Sequence, residues 1–387
     1  MKIAVLFETP YFGGGSFTHS INVCLDLKRF INNNKKIIIY TNFEKNYQII
    51  KKLGLPVILF NYSFIDKVIL KLSFYKFFRL LFNFFHLNIS LEKKLISNNI
   101  DLIYFPVISH SIFSIKKIKY VTTLLDLEHF KHSIYPEISK EEFLYREKLY
   151  FYCLPKSKLI ITSYDSIKKN ISNKYNISEK KIFVIPFTPG RLFNSRKKNY
   201  LKVKKELKSF NNYYFYPAQI WGHKNHISIL KAAKILEKKG YNINFVFSGR
   251  DRGYKKFLDD YIEKHKVKNI FFTGYLKSNE MNYVYKKCSG IIFTSLFGPN
   301  AIPPLEAWFY KKPLIYNNKL IDDVNPSVAK CINVKDPKEI SKAIIYIENN
   351  KYSKKLINNG SKKLRSIEIK SQNRYKVLNK ILSQIFL

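Results

Sequence analysis

Apolar residues in this chain follow two alternating rhythms: short unbroken runs, and longer stretches in which they recur every three or four residues. A short unbroken run suits a strand of a parallel sheet covered on both faces, which lacks the in–out alternation of a half-exposed strand. Lys2–Phe7, Lys36–Tyr40, Val57–Phe60, Asp101–Phe105, Tyr120–Leu125, Leu159–Thr162 and a strand within Ile177–Pro189 read this way. Helices are expected between them. One follows Gly15, with Ser16 or Thr18 as cap and Ile21, Cys24, Leu25 and Leu27 on its apolar face; others cover Phe43–Leu53, Lys140–Leu154 and the segment from a Ser163 cap to about Tyr175. Gly190–Asn212 is charged and aperiodic and follows Pro189, which places a domain boundary there. The rhythm then restarts. Strands are expected at Tyr213–Tyr216, Asn244–Ser248, Ile270–Thr273, Ile291–Thr294 and Pro313–Tyr316, with helices after residues 219–226, over Asn279–Lys287, from Pro303-Pro304, over Asp336–Asn349 and over Tyr352–Leu387. Two successive blocks of strand–helix alternation predict an α/β chain with two parallel sheets.

Ile65–His86 departs from this rhythm. At ~100° per residue, Ile69, Leu70, Phe74, Phe77, Leu80, Leu81 and Phe84 share one face, expected to be core. The opposite face mixes Lys67, Lys71, Lys76 and Arg79 with Tyr75, Phe78, Phe82 and Phe85. Cations among aromatic rings suit an anionic membrane interface. They equally suit two-sided burial with snorkelling lysines.

Composition sharpens this picture at a few points. The 387 residues suffice for two domains with separate cores, and 46% hydrophobic with 16% aromatic residues excludes a disordered chain. With 68 Lys+Arg against 28 Asp+Glu, the net charge is +40. Such a charge suits phosphorylated substrates, anionic membranes or nucleic acid. An Asn-, Ile- and Lys-rich codon usage accounts for part of it. The basic residues are dispersed without a basic tail, so no nucleic-acid partner is expected. Cys24, Cys153, Cys288 and Cys331 have no metal or disulfide spacing and read as reduced thiols of a cytoplasmic protein. The first apolar run is too short for a signal peptide, and no stretch offers ~18 uncharged apolar residues.

The candidate chemistry sits where strands end. In an open α/β sheet, ligands bind in the crevice beyond the carboxyl ends of the strands. There the chain carries GPNAIPPLEAW, with Pro303-Pro304 opening a helix and Glu306 expected in its first turn, where the helix dipole favours a carboxylate. Gly13-Gly14-Gly15 follows the first strand and lets backbone N–H groups approach an anion. PAQIWGHKNH follows Tyr216, and TTLLDLEHFKHSIYP follows Val121.

Together these strings resemble the retaining glycosyltransferases of the GT-B fold, family 4, in a subgroup that reads HKNH and GPTNIPPLEA. The resemblance runs over almost the whole chain and is most specific from Tyr216 to Tyr316. It implies two Rossmann-like domains facing a cleft, residues 1–190 for the acceptor and 191–365 for the nucleotide sugar, with a C-terminal helix, 366–387, crossing back. Glu306 matches the second acid of the family's E-x7-E, which holds the donor ribose; the first acid falls on Gly298. Lys224 matches the lysine that neutralises the donor diphosphate, and Gln219 occupies the position of its arginine partner, leaving His223 or His226 to replace it. Asp126 and His129 match the acceptor-side loop, Asp126 binding hydroxyls or orienting His129; the His that precedes the Asp in the subgroup is Leu125 here. Arg146 is expected to pair with a glutamate. Donor contacts are implied for Gly14, Gly15, Gln219, His223, Asn225, Gly249, Arg250 (or Arg252), Gly274, Tyr275, Asn300, Ala301, Ile302 and Pro303.

The implied function is transfer of a sugar, with retention, from a nucleoside-diphosphate sugar to a lipid-linked or polysaccharide acceptor in bacterial surface glycan biosynthesis. The nucleotide sugar is a co-substrate. No cofactor or metal is expected, since no D-x-D or ligand-spaced His cluster stands out. The chain is expected in the cytoplasm, in peripheral contact with the inner membrane face through Ile65–His86. The departures at 125, 219 and 298 leave open a degenerate relative that only binds sugar or nucleic acid. An epimerase of the same two-domain fold is a third reading, which lacks a legible acid pair.

Overall fold

In the computed structural model, strands and helices alternate through two compact units, one built from 1–132, 138–187 and 369–387, the other from 188–368. The structure describes residues 1–31, 34–85, 87, 89–131, 138–191, 200–208, 210, 212–298, 302–320 and 324–384.

The first unit comprises β1 (Lys2–Leu6), α1 (Gly15–Phe30), β2 (Lys36–Thr41), α2 (Glu44–Lys52), β3 (Val57–Leu59), α3 (Phe64–Ser73), α4 (Lys76–Phe84), α5 (Ser90–Ser97), β4 (Leu102–Phe105), β5 (Lys119–Thr123), α6 (Lys140–Cys153), β6 (Leu159–Thr162), α7 (Asp165–Tyr175) and β7 (Ile182–Val184). Its seven strands form a sheet in the order β3-β2-β1-β4-β5-β6-β7. Every neighbouring pair is parallel. Helices cover both faces, which is why the strands are apolar throughout: Ala4 and Leu6 join one core, while Ile3 and Val5, equally buried, alternate to the other side.

The second unit carries α8 (Leu201–Glu206), β8 (Tyr213–Pro217), α9 (His226–Lys238), β9 (Asn244–Ser248), α10 (Lys255–His265), β10 (Ile270–Gly274), α11 (Ser278–Lys287), β11 (Gly290–Phe293), α12 (Ile302–Phe309), β12 (Leu314–Asn317), β13 (Lys330–Ile332) and α13 (Pro337–Glu348). Its parallel sheet has the order β10-β9-β8-β11-β12-β13. Chain direction across the sheet reverses between β1 and β4 in the first unit and between β8 and β11 in the second. Those are the switch points at which such sheets open a crevice. A last helix, α14 (Asn350–Gln384), begins in the second unit, and its residues from Ile369 belong to the first. There Arg374 Nε donates to the Val184 carbonyl at 2.7 Å, with its guanidinium 3.6 Å over the Phe183 ring.

Four local expectations are corrected. The aromatic stretch forms two helices, not one over Ile65–His86, and His86 lies outside the described residues. Tyr75 is extended (φ −96°, ψ 131°) and caps α4, while Arg79 Nη1 closes the end of α3 on the Ser73 and Phe74 carbonyls. One extended residue resets the helical phase, so the faces exchange in α4. Phe78 and Phe82 pack on the core, while Phe77, Leu80, Leu81 and Phe84 are 69, 59, 37 and 78% exposed. Neither Ser16 nor Thr18 caps α1; its N-cap is Gly14, and Ser16 Oγ donates to the Gly13 carbonyl instead. Ser163 does not cap α7, whose N-cap is Tyr164. The segment Gly190–Asn212, read as aperiodic, contains α8, which buries Val203.

Gly360 of α14 lies against buried Trp308 of α12: a Cβ there would stand 2.3 Å from Trp308 Cδ1 and 2.7 Å from Nε1. Gly360→Ala would gain at most about 1 kcal/mol of helix propensity. Overpacking against a fixed indole costs about 1–3 kcal/mol. The variant should melt below wild type; an unchanged or higher melting temperature would contradict this packing.

Candidate functional site

The loops that follow β8 and β11, either side of the second switch point, are joined by backbone-anchored hydrogen bonds. Lys224 presents its carbonyl to two hydroxyls, Tyr216 at 2.8 Å and Thr294 at 2.9 Å, and the His223 carbonyl accepts from Leu296 N–H at 2.8 Å. Asn225 takes a left-handed conformation (φ 58°) that starts α9, and its amide donates to the Val334 carbonyl at 2.8 Å. The Lys224 side chain then crosses between the loops, with Nζ 3.1 Å from Ser295 Oγ. Ser295 is buried and fixed by its own bonds, donating to the Phe297 carbonyl at 2.6 Å and accepting from Asn317 at 2.8 Å. The His223 ring stacks on Phe297, centroids 4.0 Å apart.

The ends of β8 and β9 continue in the same manner. Ala218 N–H bonds Ser248 O, Ile220 N–H bonds Arg250 O and Arg252 N–H bonds Ile220 O, at 2.9, 2.9 and 3.2 Å. Gly249, at φ 151°, makes this approach possible, since a Cβ there would lie 2.3 Å from the Ala218 carbonyl oxygen. Gly249 N–H in turn bonds the Gly274 carbonyl at 2.9 Å, and the Arg250 guanidinium lies 5.5 Å over the exposed Tyr275 ring. Gln219 Oε1 accepts from Arg252 Nε at 2.6 Å. A guanidinium is therefore held at the position where the resemblance asked for an arginine.

Glu306 stands in the second turn of α12, beyond the first turn where it was expected, because the helix already begins at Ile302. Ile302 is buried and Pro303 follows it in this helix; Asn300 and Ala301 lie outside the described residues. Glu306 is 5% exposed and accepts from the Tyr285 hydroxyl. Burial raises its pKa to about 7 against the pull of Tyr285 and the Gly190 N–H. His226 is buried, with no hydrogen-bond partner on either ring nitrogen among the described residues, and burial beside Lys224 and His223 lowers its pKa to about 3. It is neutral at physiological pH and does not replace the arginine as a cation.

In the first unit, Gly14 and Gly15 open α1 after β1, with Gly14 at φ 65°. Asp126 follows β5, accepts from Glu128 N–H at 3.0 Å and lies 3.8 Å from Arg146, whose principal partner is Glu142 at 2.7 Å. Asp126 does not orient His129. That ring is fully buried, bonds Glu147 through Nε2 at 2.9 Å and packs on Phe130, Phe143 and Tyr150. Burial holds its pKa below the usual imidazole value despite Glu147.

Residues 197–363 match the family model described as glycosyl transferases group 1. The match covers less than half of the chain and lies within the second unit. A relative in Salmonella typhimurium, the O-antigen chain mannosyltransferase RfbU, is 28% identical over 224 residues; the match spans 56% of this chain and 59% of that protein's length. Among solved structures, Anabaena Alr3699/HepE in complex with UDP-glucose superposes with a TM-score of 0.69 at 15% identity, covering 98% of this chain and all of that one. Sucrose-phosphate synthase of Thermosynechococcus elongatus gives 0.72 at 13% identity, covering 100% of this chain and 99% of that one. At such identities the likeness is one of fold, and the fold is GT-B, with its two Rossmann-like sheets.

Within the matched region, several partners of the expected residues carry no sequence signal of their own. Ser295 under Lys224 is 71 positions away, and Tyr285 beside Glu306 lies on another helix. His19, on α1 behind the glycine loop of the first unit, was also missed; it is buried against Phe187, and burial lowers its pKa to about 4. Only the fold reveals these pairings.

Glu306 gives the domain a pH signature. Its folded pKa is raised, so its neutral form is favoured by folding; stability is full below about pH 4.5 and falls as pH rises towards 7. The loss is on the order of 3 kcal/mol. Glu306→Gln keeps the shape without the charge and should flatten the melting temperature of this domain between those pH values. An unchanged slope would place the titration elsewhere.

Proposed function

We propose that this chain transfers a glycosyl group, with retention, from a nucleoside-diphosphate sugar to a lipid-linked or polysaccharide acceptor during assembly of a bacterial surface glycan. The observation that carries this is the Lys224 ammonium, seated on buried Ser295 at the carboxyl ends of β8 and β11 within the region that matches glycosyl transferases group 1. A fixed cation at a switch point suits a leaving group that gains charge as the glycosidic bond breaks. RfbU acts in O-antigen synthesis by its name, and HepE was solved with UDP-glucose. Both support a sugar nucleotide as donor.

In this reading the second unit holds the donor and the first presents the acceptor. Lys224 neutralises the diphosphate, with Arg252, held on Gln219, as the second cation. The acceptor hydroxyl attacks the anomeric carbon on the face from which the diphosphate leaves, and its proton passes to the departing phosphate oxygen. The bond from the anomeric carbon to the acceptor oxygen forms as the bond to the diphosphate breaks. Glu306 holds the ribose, and the buried Tyr285 contact fixes its carboxyl. A lipid-linked acceptor places the chain against the inner face of the cytoplasmic membrane.

The competing reading is a sugar or nucleic-acid binder without turnover, favoured by Gly298 where the family has its first acid. Release of nucleoside diphosphate from UDP-, GDP-, dTDP- and ADP-sugars, and of CMP from CMP-sugars, separates the two. One donor class should turn over, and Lys224→Ala should lower its rate roughly 10²–10³-fold. Equal turnover by Lys224→Ala would remove the lysine from the mechanism. Absent turnover, with RNA affinity falling steeply with salt, would establish the binder.

A further inference from the structure

One surface of the first unit has no part in the chemistry above. α4 turns Phe77, Leu80 and Phe84 outward at i, i+3 and i+7, one exposed stripe along the helix. Phe64 and Ile65 of α3 are exposed to a similar degree. Asn83, one turn after Leu80 on α4, lines an open pocket of about 480 Å³ whose walls include Lys116, Lys117, Lys119, Lys156 and Lys158. Lys119 opens β5, and Lys158 directly precedes β6. The pocket thus lies at the amino ends of these strands, the opposite edge of the sheet from Gly14 and Asp126.

The stripe and the pocket are fixed to each other. Lys116 Nζ donates to the Phe82 and Leu87 carbonyls at 2.9 and 2.7 Å, closing the end of α4. Glu92, the carboxylate that approaches this loop, is buried and accepts the Lys116 and Lys117 backbone N–H groups at 2.7 and 2.8 Å, so it faces inward and leaves the rim basic. Lys156 stands 3.6 Å over the Tyr152 ring.

We propose that this surface docks on an anionic phospholipid bilayer, the lysine pocket taking a phosphate head group and the Phe77–Leu80–Phe84 stripe entering the acyl boundary. The inference deepens the membrane placement proposed above, rests on that reading, and is independent of the donor site. A bare aromatic and aliphatic stripe is disfavoured in water and favoured where head groups meet acyl chains. A free phosphate or an RNA would use the lysines but leave Leu80 and Phe84 without a partner. The surplus of cations over acids in the whole chain supplies the long-range attraction.

The full chain should co-sediment with vesicles of equal parts phosphatidylcholine and phosphatidylglycerol, less so as salt rises, and far less with phosphatidylcholine alone. Each lysine near an anionic surface strengthens binding about fivefold, so Lys117→Gln with Lys158→Gln should weaken it on the order of 25-fold. Phe77→Ser with Phe84→Ser should weaken it as well, at an unchanged melting temperature, because both rings are exposed. Wild-type binding by either variant overturns the proposal, as does equal partition onto neutral vesicles. Stabilisation by inorganic phosphate without vesicle binding also overturns it in favour of a soluble anion. Nucleoside-diphosphate affinity is expected to be the same in wild type and both variants. Its absence from all three would refute the donor site and leave the vesicle result standing.

Discussion

Two hydroxyls on the Lys224 carbonyl determine where its ammonium can stand. Tyr216 reaches it from the end of β8 and Thr294 from the end of β11, and these are the strands between which chain direction reverses. A lysine on a free loop would sample many rotamers and lose side-chain entropy on meeting an anion. Here the backbone is pinned from both sides, and Nζ already rests on a buried serine. The cation is placed before any ligand arrives, which is the condition under which charge stabilisation is effective.

The neighbouring loops share this rigidity. Beyond β8 and β9 the chains continue as hydrogen-bonded ribbons past the strands themselves, an approach that only glycine at 249 permits. Arg252 is delivered to Gln219 by this ribbon, a side chain from the next loop standing beside that position. Glu306 is fixed differently, by burial and by Tyr285, and its raised pKa follows from that burial. Lys224 and Glu306 are thus both held by groups far away in sequence. Changing Tyr216, Thr294 or Tyr285 should act on the site as strongly as changing a residue that touches the ligand.

The succession of strands and helices, the parallel sheets and the loops carrying Lys224 and Gly249 were legible because unbroken apolar runs and strand-end glycines are local signals, whereas the order of strands within each sheet came from the structure. Helix phase was not. A wheel drawn over Ile65–His86 assumes uninterrupted helix, and the extended Tyr75 rotates everything after it, exchanging the core and exposed faces of α4. His129 illustrates a second limit. The sequence shows an imidazole near an aspartate, whereas the fold buries the ring and pairs it with Glu147, 18 residues further on. Glu306 moved by one position, just past the first turn, because two prolines open a helix without fixing which residue begins it.

The first unit carries different groups at the two edges of its sheet: glycines and Asp126 at the carboxyl edge, lysines and exposed rings at the amino edge. One sheet can serve two partners in this way, because its two edges are separated by the length of its strands. The proposed transfer nonetheless stands or falls on Lys224 and the diphosphate. Calorimetric titration of the full chain with UDP, UMP, GDP and GMP tests it most directly. One diphosphate should bind clearly more tightly than its monophosphate, and Lys224→Ala should abolish that difference while the monophosphate still binds. Equal affinity for diphosphate and monophosphate in the wild-type chain would contradict it.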